Sequence, residues 1–180
     1  MLLGALLDAG LELPRLEAEL KKLRLPGYHL SAAKISRNGF AAIKVGVRVE
    51  EEQPERGLAE VLAVIETSSL PAEDKEKAVA VFRCLAEAEA RVHGCPVEEV
   101  RLHDVGAVDA IVDVVGAVCG LRLLEVEELF ASPLNVGAGL AKGPHGPLPI
   151  PAPATLQILS AAQAPLAAPG AAPQSELLTP

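Results

Sequence analysis

The chain has 180 residues, half of them hydrophobic (50%), which is enough for one domain or two small ones with a real core. Its 16 Lys and Arg stand against 24 Asp and Glu, a net charge of -8, and only 2% of residues are aromatic. That balance excludes a general nucleic-acid or anionic-membrane surface, and the lack of aromatics removes the usual base-stacking platforms.

In chain order, Met1 to Leu25 reads as two helices broken at Asp8-Ala-Gly10, with Pro14 well placed near the start of the second. No capping residue precedes the first, so a further upstream piece is expected. Tyr28 to Ser36 and Phe40 to Val49 alternate as strands around Asn38-Gly39, the strongest short hairpin signal. Glu50 to Arg56 is a charged break. Leu58 to Thr67 then shows helical period, and Ser69 is placed to cap a helix that starts near Pro71, carries Glu73 and Asp74 in its first turn and ends at His93-Gly94.

The stretch from Arg101 to Leu121 sets acids and a histidine against the longest apolar run. From Gly106 to Leu124 it is apolar on nearly every side, as in a buried helix, yet Asp109 and Asp113 interrupt it. Four residues apart, the two project from one face with Cβ atoms roughly 5–6 Å from each other. Buried acids need a partner. One reading has Asp109 in the first turn, complementing the helix dipole, and Asp113 paired with Arg101 or Arg122; the other has a metal, a cationic ligand or a catalytic role, with His103 and Asp104 delivered by the preceding turn. The acids and Arg122 also make the run too short for a membrane span.

Leu129 to Leu134 looks like a short strand feeding the glycine-bearing turn Asn135 to Gly139, which has no Walker-type ending. Lys142 to Pro153 is proline-rich, a stiff extended segment that presents His145, and a short helix follows from Ala154 to Ser160. Ala161 to Pro180 is rich in Ala and Pro and is expected to be poorly ordered in isolation. The fold class expected is α/β: a mixed sheet with a β-hairpin and a strand near Phe130, covered by several helices. Cys84, Cys95 and Cys119 form no C-x-x-C pair and no basic-headed signal opens the chain, which reads as reduced and cytoplasmic; Cys119 is expected to be a small core residue.

Several blocks, in order, resemble the nickel-insertion protein family of nickel-pincer nucleotide cofactor biosynthesis. They are Leu3-Gly-Ala-Leu-Leu-Asp8, Leu85-Ala-Glu-Ala-Glu-Ala-Arg-Val-His-Gly94, His103-Asp-Val-Gly-Ala-Val-Asp109 with Asp113, Ser132-Pro-Leu134, His145-Gly146, Pro149-Ile-Pro-Ala-Pro-Ala-Thr155 and Glu176-Leu-Leu-Thr-Pro180. The sequence departs from the family in four ways. It starts at the methionine after the family's opening strand and glycine-rich turn; Asp104 stands where glutamate is usual; Glu50 to Arg56 lacks the family's histidines; and the chain stops before the C-terminal domain.

The resemblance implies a CTP-dependent cyclometallase of the lyase type that inserts nickel into a pyridinium bis-thiocarboxylate mononucleotide, making the nickel-pincer cofactor of lactate racemase. Residues 1–160 would be its N-terminal domain without the first strand, and residues 161–180 a truncated Ala/Pro-rich segment. Nickel accepts imidazole and carboxylate ligands, so His103, Asp104, Asp109 and Asp113 are the candidate catalytic and metal residues, with His145 a further metal candidate. His93 has a simpler account as a helix-end residue, and His29 in the hairpin lacks acidic neighbours. CTP, with Mg or Mn, would bind to the C-terminal domain outside this chain. The implied partners are the mononucleotide and that domain, a homo-oligomer being left open, with no nucleic acid and no membrane. The alternatives are a nickel-binding, metallochaperone-like module and an inactive fragment; no Gly-x-Ser-x-Gly elbow points to a hydrolase.

Overall fold

The structure, a computed structural model, describes residues 1–50, 56–100, 102, 107–143 and 146–167. Residues Met1–Arg83 with Arg101–Glu127 form one compact unit, and Cys84–Val100 with Glu128–Pro180 form another. The helical and hairpin elements bear out the α/β class, and the paired strands run antiparallel.

The first unit opens with helices α1 (Leu2–Asp8) and α2 (Leu13–Leu20), the latter with Pro14 in its first turn. Strands β1 (Tyr28–Arg37) and β2 (Phe40–Val49) pair in register from Tyr28↔Val49 to Arg37↔Phe40. The two loop residues, Asn38 and Gly39, both have positive φ (51° and 84°), the type I′ geometry whose twist suits a hairpin. One face of the hairpin gathers Leu30, Val47, Ala32 and Val45 through the cross-strand pairs Leu30↔Val47 and Ala32↔Val45. α1 lies so close to β2 that a Cβ at Gly4 would run into the Ile43 carbonyl.

Helix α3 (Leu58–Glu66) buries Val61 and Ile65, and Glu60 reaches back to accept the Gly57 N–H at 2.7 Å. Helix α4 (Ala72–His93) follows, without the expected cap from Ser69. The turn before it is instead closed by Ser68, whose hydroxyl donates to the Ile65 carbonyl at 2.6 Å and accepts the Leu70 N–H at 3.3 Å. The other end is as expected: Gly94 has φ 65° and the Cys95 N–H donates to the Ala90 carbonyl at 3.1 Å, a Schellman closure.

Helix α5 (Val108–Leu123) packs on α1 and α2 through two small positions. A Cβ at Gly116 would sit 3.1 Å from a Leu3 methyl carbon, and one at Gly120 would sit 2.8 Å from a Leu6 methyl carbon and 3.1 Å from one of Leu11. The expectation that α5 is buried on all sides is corrected. Val108, Ile111, Val112, Val115 and Cys119 are fully buried along one stripe, at the i, i+3, i+4, i+7 spacing of a core-facing helix, whereas Asp109 and Asp113 are exposed on another face.

In the second unit, the strand expected near Phe130 does not form: Leu129 and Phe130 belong to no helix or strand, are 73% and 89% exposed, and have no strand partner among the described residues. Strand propensity alone does not hold a strand, and none of the described residues pairs with this one. Leu134 instead makes a single parallel bridge with Leu166. The proline-rich segment, expected to be merely stiff and extended, is half of a second hairpin, β3 (Leu140–Gly143) with β4 (Gly146–Pro149). Its prolines, Pro147 and Pro149, alternate along β4, so both point their missing N–H the same way and leave the other side free to pair. Helix α6 (Pro153–Ala161) closes the unit. Among the described residues, no helix is long and apolar enough to cross a membrane.

Candidate functional site

Asp109 is the second residue of α5, and its Oδ1 accepts the Ala110 N–H at 2.9 Å. The first-turn role anticipated for it is therefore present. Asp113 lies one turn further on. Both side chains face solvent, so the burial that the apolar surroundings suggested for them is not found. Asp113 nevertheless feels the adjacent protein: partial desolvation pushes its carboxyl above the ordinary carboxylate range, the Met1 amine opposes the shift, and the negative charge of Asp109 adds to it. The two acids thus form an outward-facing pair that repel each other.

His103, Asp104 and His145 lie outside the described residues, as does Arg101. Arg122, the other partner considered for Asp113, is engaged elsewhere. Its Nε donates to both oxygens of Asp74 at 3.0 and 2.8 Å, and an Nη donates to Glu19 Oε2 at 2.8 Å. Lys22 Nζ holds the other Glu19 oxygen at 2.7 Å, and the Cys119 thiol donates to Asp74 Oδ2 at 3.4 Å.

Ligand atoms of Glu19, Asp74 and Cys119 come within 4.8 Å of one another, which by distance alone suits a metal. The charges say otherwise. Two carboxylates meet two cations, and the guanidinium already occupies the space between the acids. Burial, with the charge and hydrogen bond of Asp74, pushes the Cys119 thiol up to about 12, so it stays protonated and is no metal-binding thiolate. For Arg122, desolvation pulls the guanidinium down, and the hydrogen bond to Asp74 with the charges of Asp74 and Glu19 more than offsets it. This cluster ties α2, α4 and α5 together, and Cys119 is the core residue expected.

Sequence reading had placed Asp74 only in a first turn and had not singled out Glu19. The partners lie 45, 48 and 103 residues apart, and no local spacing announces them. The other described histidines are peripheral. His93 Nε2 lies 3.5 Å from Glu89 one turn back, consistent with a helix-end residue, while His29 Nε2 lies 3.0 Å from Glu50, an acidic neighbour that sequence reading had missed. An open groove of about 460 Å³ by the end of α4, lined by Glu87, Arg91, Cys95 and Val97 among others, contains none of the candidate residues.

The outer face of α5 is therefore the described part of the candidate site: two exposed carboxylates four residues apart on one helix.

A family model described as nickel insertion protein matches residues 1–180. A relative from Roseiflexus castenholzii is 50% identical over 166 residues, 92% of this chain and 42% of its own length. The pyridinium-3,5-bisthiocarboxylic acid mononucleotide nickel insertion protein of Desulfitobacterium hafniense is 46% identical over 160 residues, 89% of this chain and 40% of its own. A Thermomicrobium roseum relative is 50% identical over 167 residues, 92% and 41% respectively. No solved structure matches significantly. The chain spans about two-fifths of the length of these curated relatives. By a match over its whole length and by these identities, the chain belongs to the nickel insertion protein family.

Proposed function

We propose that this chain is the metal-handling part of a nickel insertion protein acting on pyridinium-3,5-bisthiocarboxylic acid mononucleotide, the compound in the name of the Desulfitobacterium relative. Nickel is a substrate in this reading. It is held by Asp109 and Asp113 on α5, with His103 and Asp104 from the residues just before that helix as further ligands; His145 of the proline-rich segment is a separate metal candidate. Carboxylate oxygens and imidazoles bind Ni²⁺ readily, but the thiocarboxylate sulfurs of the acceptor are softer donors, so transfer from protein to mononucleotide runs from hard ligands to soft ones.

The finer reading is a CTP-dependent cyclometallase of the lyase class serving lactate racemase in the cytoplasm. CTP, with Mg or Mn, then binds a C-terminal domain that this stretch does not include. Residues 1–160 are the N-terminal domain and 161–180 lead out of it.

The observation that carries the reading is the exposed Asp109–Asp113 pair, whose mutual repulsion a bound dication relieves. Nickel titration by calorimetry tests it. Asp113→Asn is expected to weaken nickel binding about tenfold, about 1.4 kcal/mol, while the melting temperature holds or rises slightly because a partly desolvated charge is gone. Unchanged nickel affinity in a folded Asp113→Asn protein removes Asp113 from the site. A nickel-binding module that hands metal on without its own turnover is the second reading, favoured by carboxylates with no activated nucleophile beside them.

A further inference from the structure

Helix α6 starts without a side-chain cap. Ala152 holds the cap position and Pro153 follows, and the first intrahelical bond is donated by Leu156 to the Ala152 carbonyl at 3.0 Å, so the N–H groups of Ala154 and Thr155 precede the helical ladder. Thr155 is 3% exposed, and its hydroxyl is the one buried side-chain polar atom among the described residues without a hydrogen-bond partner. Such a group is uncommon in a native protein and points to something that completes it. Helical side chains lean toward the N-terminus of their helix. From the third position of α6, the Thr155 Cα–Cβ bond accordingly leans back toward the turn that carries the two backbone donors.

The charge of the sequence on either side of this turn is just as distinctive. The chain carries 24 acids, yet none falls between Leu129 and Ser175, where Lys142 and His145 are the only ionisable residues. The glycine turn in this region is tied to the approach to α6: Gly137 and Gly139 have positive φ, Asn135 Oδ1 accepts the Gly137 N–H at 3.1 Å, and the Gly139 carbonyl accepts the Ile150 N–H at 3.0 Å. A helix N-terminus with free donors favours an anion, and here no carboxylate in the surrounding sequence opposes one.

We propose that the first turn of α6 seats the oxyanion of a phosphomonoester, with the Thr155 hydroxyl and the N–H groups of Ala154 and Thr155 donating to it. The assignment rests on the nickel-insertion reading above, in which the phosphate is that of the mononucleotide acceptor. Three donors match the several acceptor oxygens of a phosphate, and the sequence from Leu129 to Ser175 carries no acid to take a metal instead. In the free chain the hydroxyl is closed off from water, so seating the anion displaces the residues that cover it.

The test is calorimetric titration of the 180-residue chain with a nucleoside 5′-monophosphate, the matching nucleoside, and inorganic phosphate, repeated for Thr155→Val and Thr155→Ser. The monophosphate is expected to bind and the nucleoside not, with inorganic phosphate competing, which assigns the contact to the phosphate rather than the base. Thr155→Val, nearly the same shape without the hydroxyl, is expected to lose about tenfold in affinity, the effect of one hydrogen bond to a charged group, and to keep or raise its melting temperature; Thr155→Ser retains binding. Equal affinity in a folded Thr155→Val, or no binding of either phosphate compound, overturns the assignment. Nickel titration of the same proteins separates the two ideas. Nickel binding with no phosphate binding ends this inference alone, and Thr155-dependent phosphate binding in a chain that takes no nickel ends the nickel reading alone.

Discussion

Arg122 determines what the acids of the first unit can do. By taking Asp74 and Glu19 it is unavailable to pair with Asp113, and it fills the one acid–thiol cluster among the described residues that distance alone would allow for a metal. Asp74 is 1% exposed, and the guanidinium holds both of its oxygens. Arg122→Leu is expected to lower stability by about 3 kcal/mol, the lower end for stranding a buried charge, because the Arg122 side chain is itself 31% exposed. Urea unfolding measures it, and a loss under about 1 kcal/mol would mean that water replaces the guanidinium at Asp74. Arg122→Lys is expected to restore only part of the loss, since an ammonium cannot reproduce the two-oxygen contact from Nε together with the Glu19 bond. The arginine was visible in the sequence only as a charge near the end of an apolar helix; its partners come from α2 and α4, and the long separations hid them.

At the level of elements, close approach of α1 to its neighbours is a matter of three glycines, each meeting a different obstacle. Beyond Gly120 stand the flexible ends of Leu6 and Leu11, while beyond Gly4 stands the Ile43 carbonyl, part of a paired strand. Gly120→Ala is expected to cost up to about 2 kcal/mol, part of the overpacking offset by the better helix propensity of alanine. Gly4→Ala is expected to cost more, because backbone in a hairpin cannot rotate aside as a leucine methyl can. Thermal melts of the two variants check the order, and a Gly4→Ala protein as stable as Gly120→Ala would show that α1 slides freely along β2. The Asn38-Gly39 hairpin was legible because its turn chemistry is local. The strand expected at Phe130 failed for the opposite reason: its residues have strand character, but nothing among the described residues pairs with them. The β3–β4 hairpin went unrecognised because prolines usually argue against strands, and here they alternate on the side that needs no donor.

For the whole molecule, the chain spans about two-fifths of the length of its curated relatives, and the proposed division of labour follows from what its own residues can bind. In the two proposals above it offers a carboxylate pair for a dication and, at α6, donors for a single phosphate. No Lys or Arg belongs to that turn, and no Walker-type loop occurs in the sequence, so nothing here is equipped to assist phosphoryl transfer from a triphosphate. The 180-residue chain is therefore expected to bind nickel and yet hydrolyse CTP no faster than a boiled control, as measured by CDP and CMP formation. CTP turnover by the purified chain would refute the assignment of that chemistry to residues outside it. If nickel insertion proceeds with this chain alone and without CTP, the simpler nickel-binding module becomes the better account.

The sequence by itself determined the elements whose causes are local: the helices written in apolar period, the type I′ turn at Asn38-Gly39, the glycine closure of α4 at Gly94, and the family through ordered blocks of residues. Period also established that Asp109 and Asp113 share a face of α5, because four residues are close to one helical turn. Which way that face points was left to tertiary structure. The core stripe of α5 is chosen by where Leu3, Leu6, Leu11 and Leu16 meet Gly116 and Gly120, and that choice turns the acids to solvent. The Arg122–Asp74–Glu19 cluster and the unpartnered hydroxyl of Thr155 likewise exist only in three dimensions. An ion pair or a buried polar atom depends on residues brought together by folding, which sequence spacing does not encode.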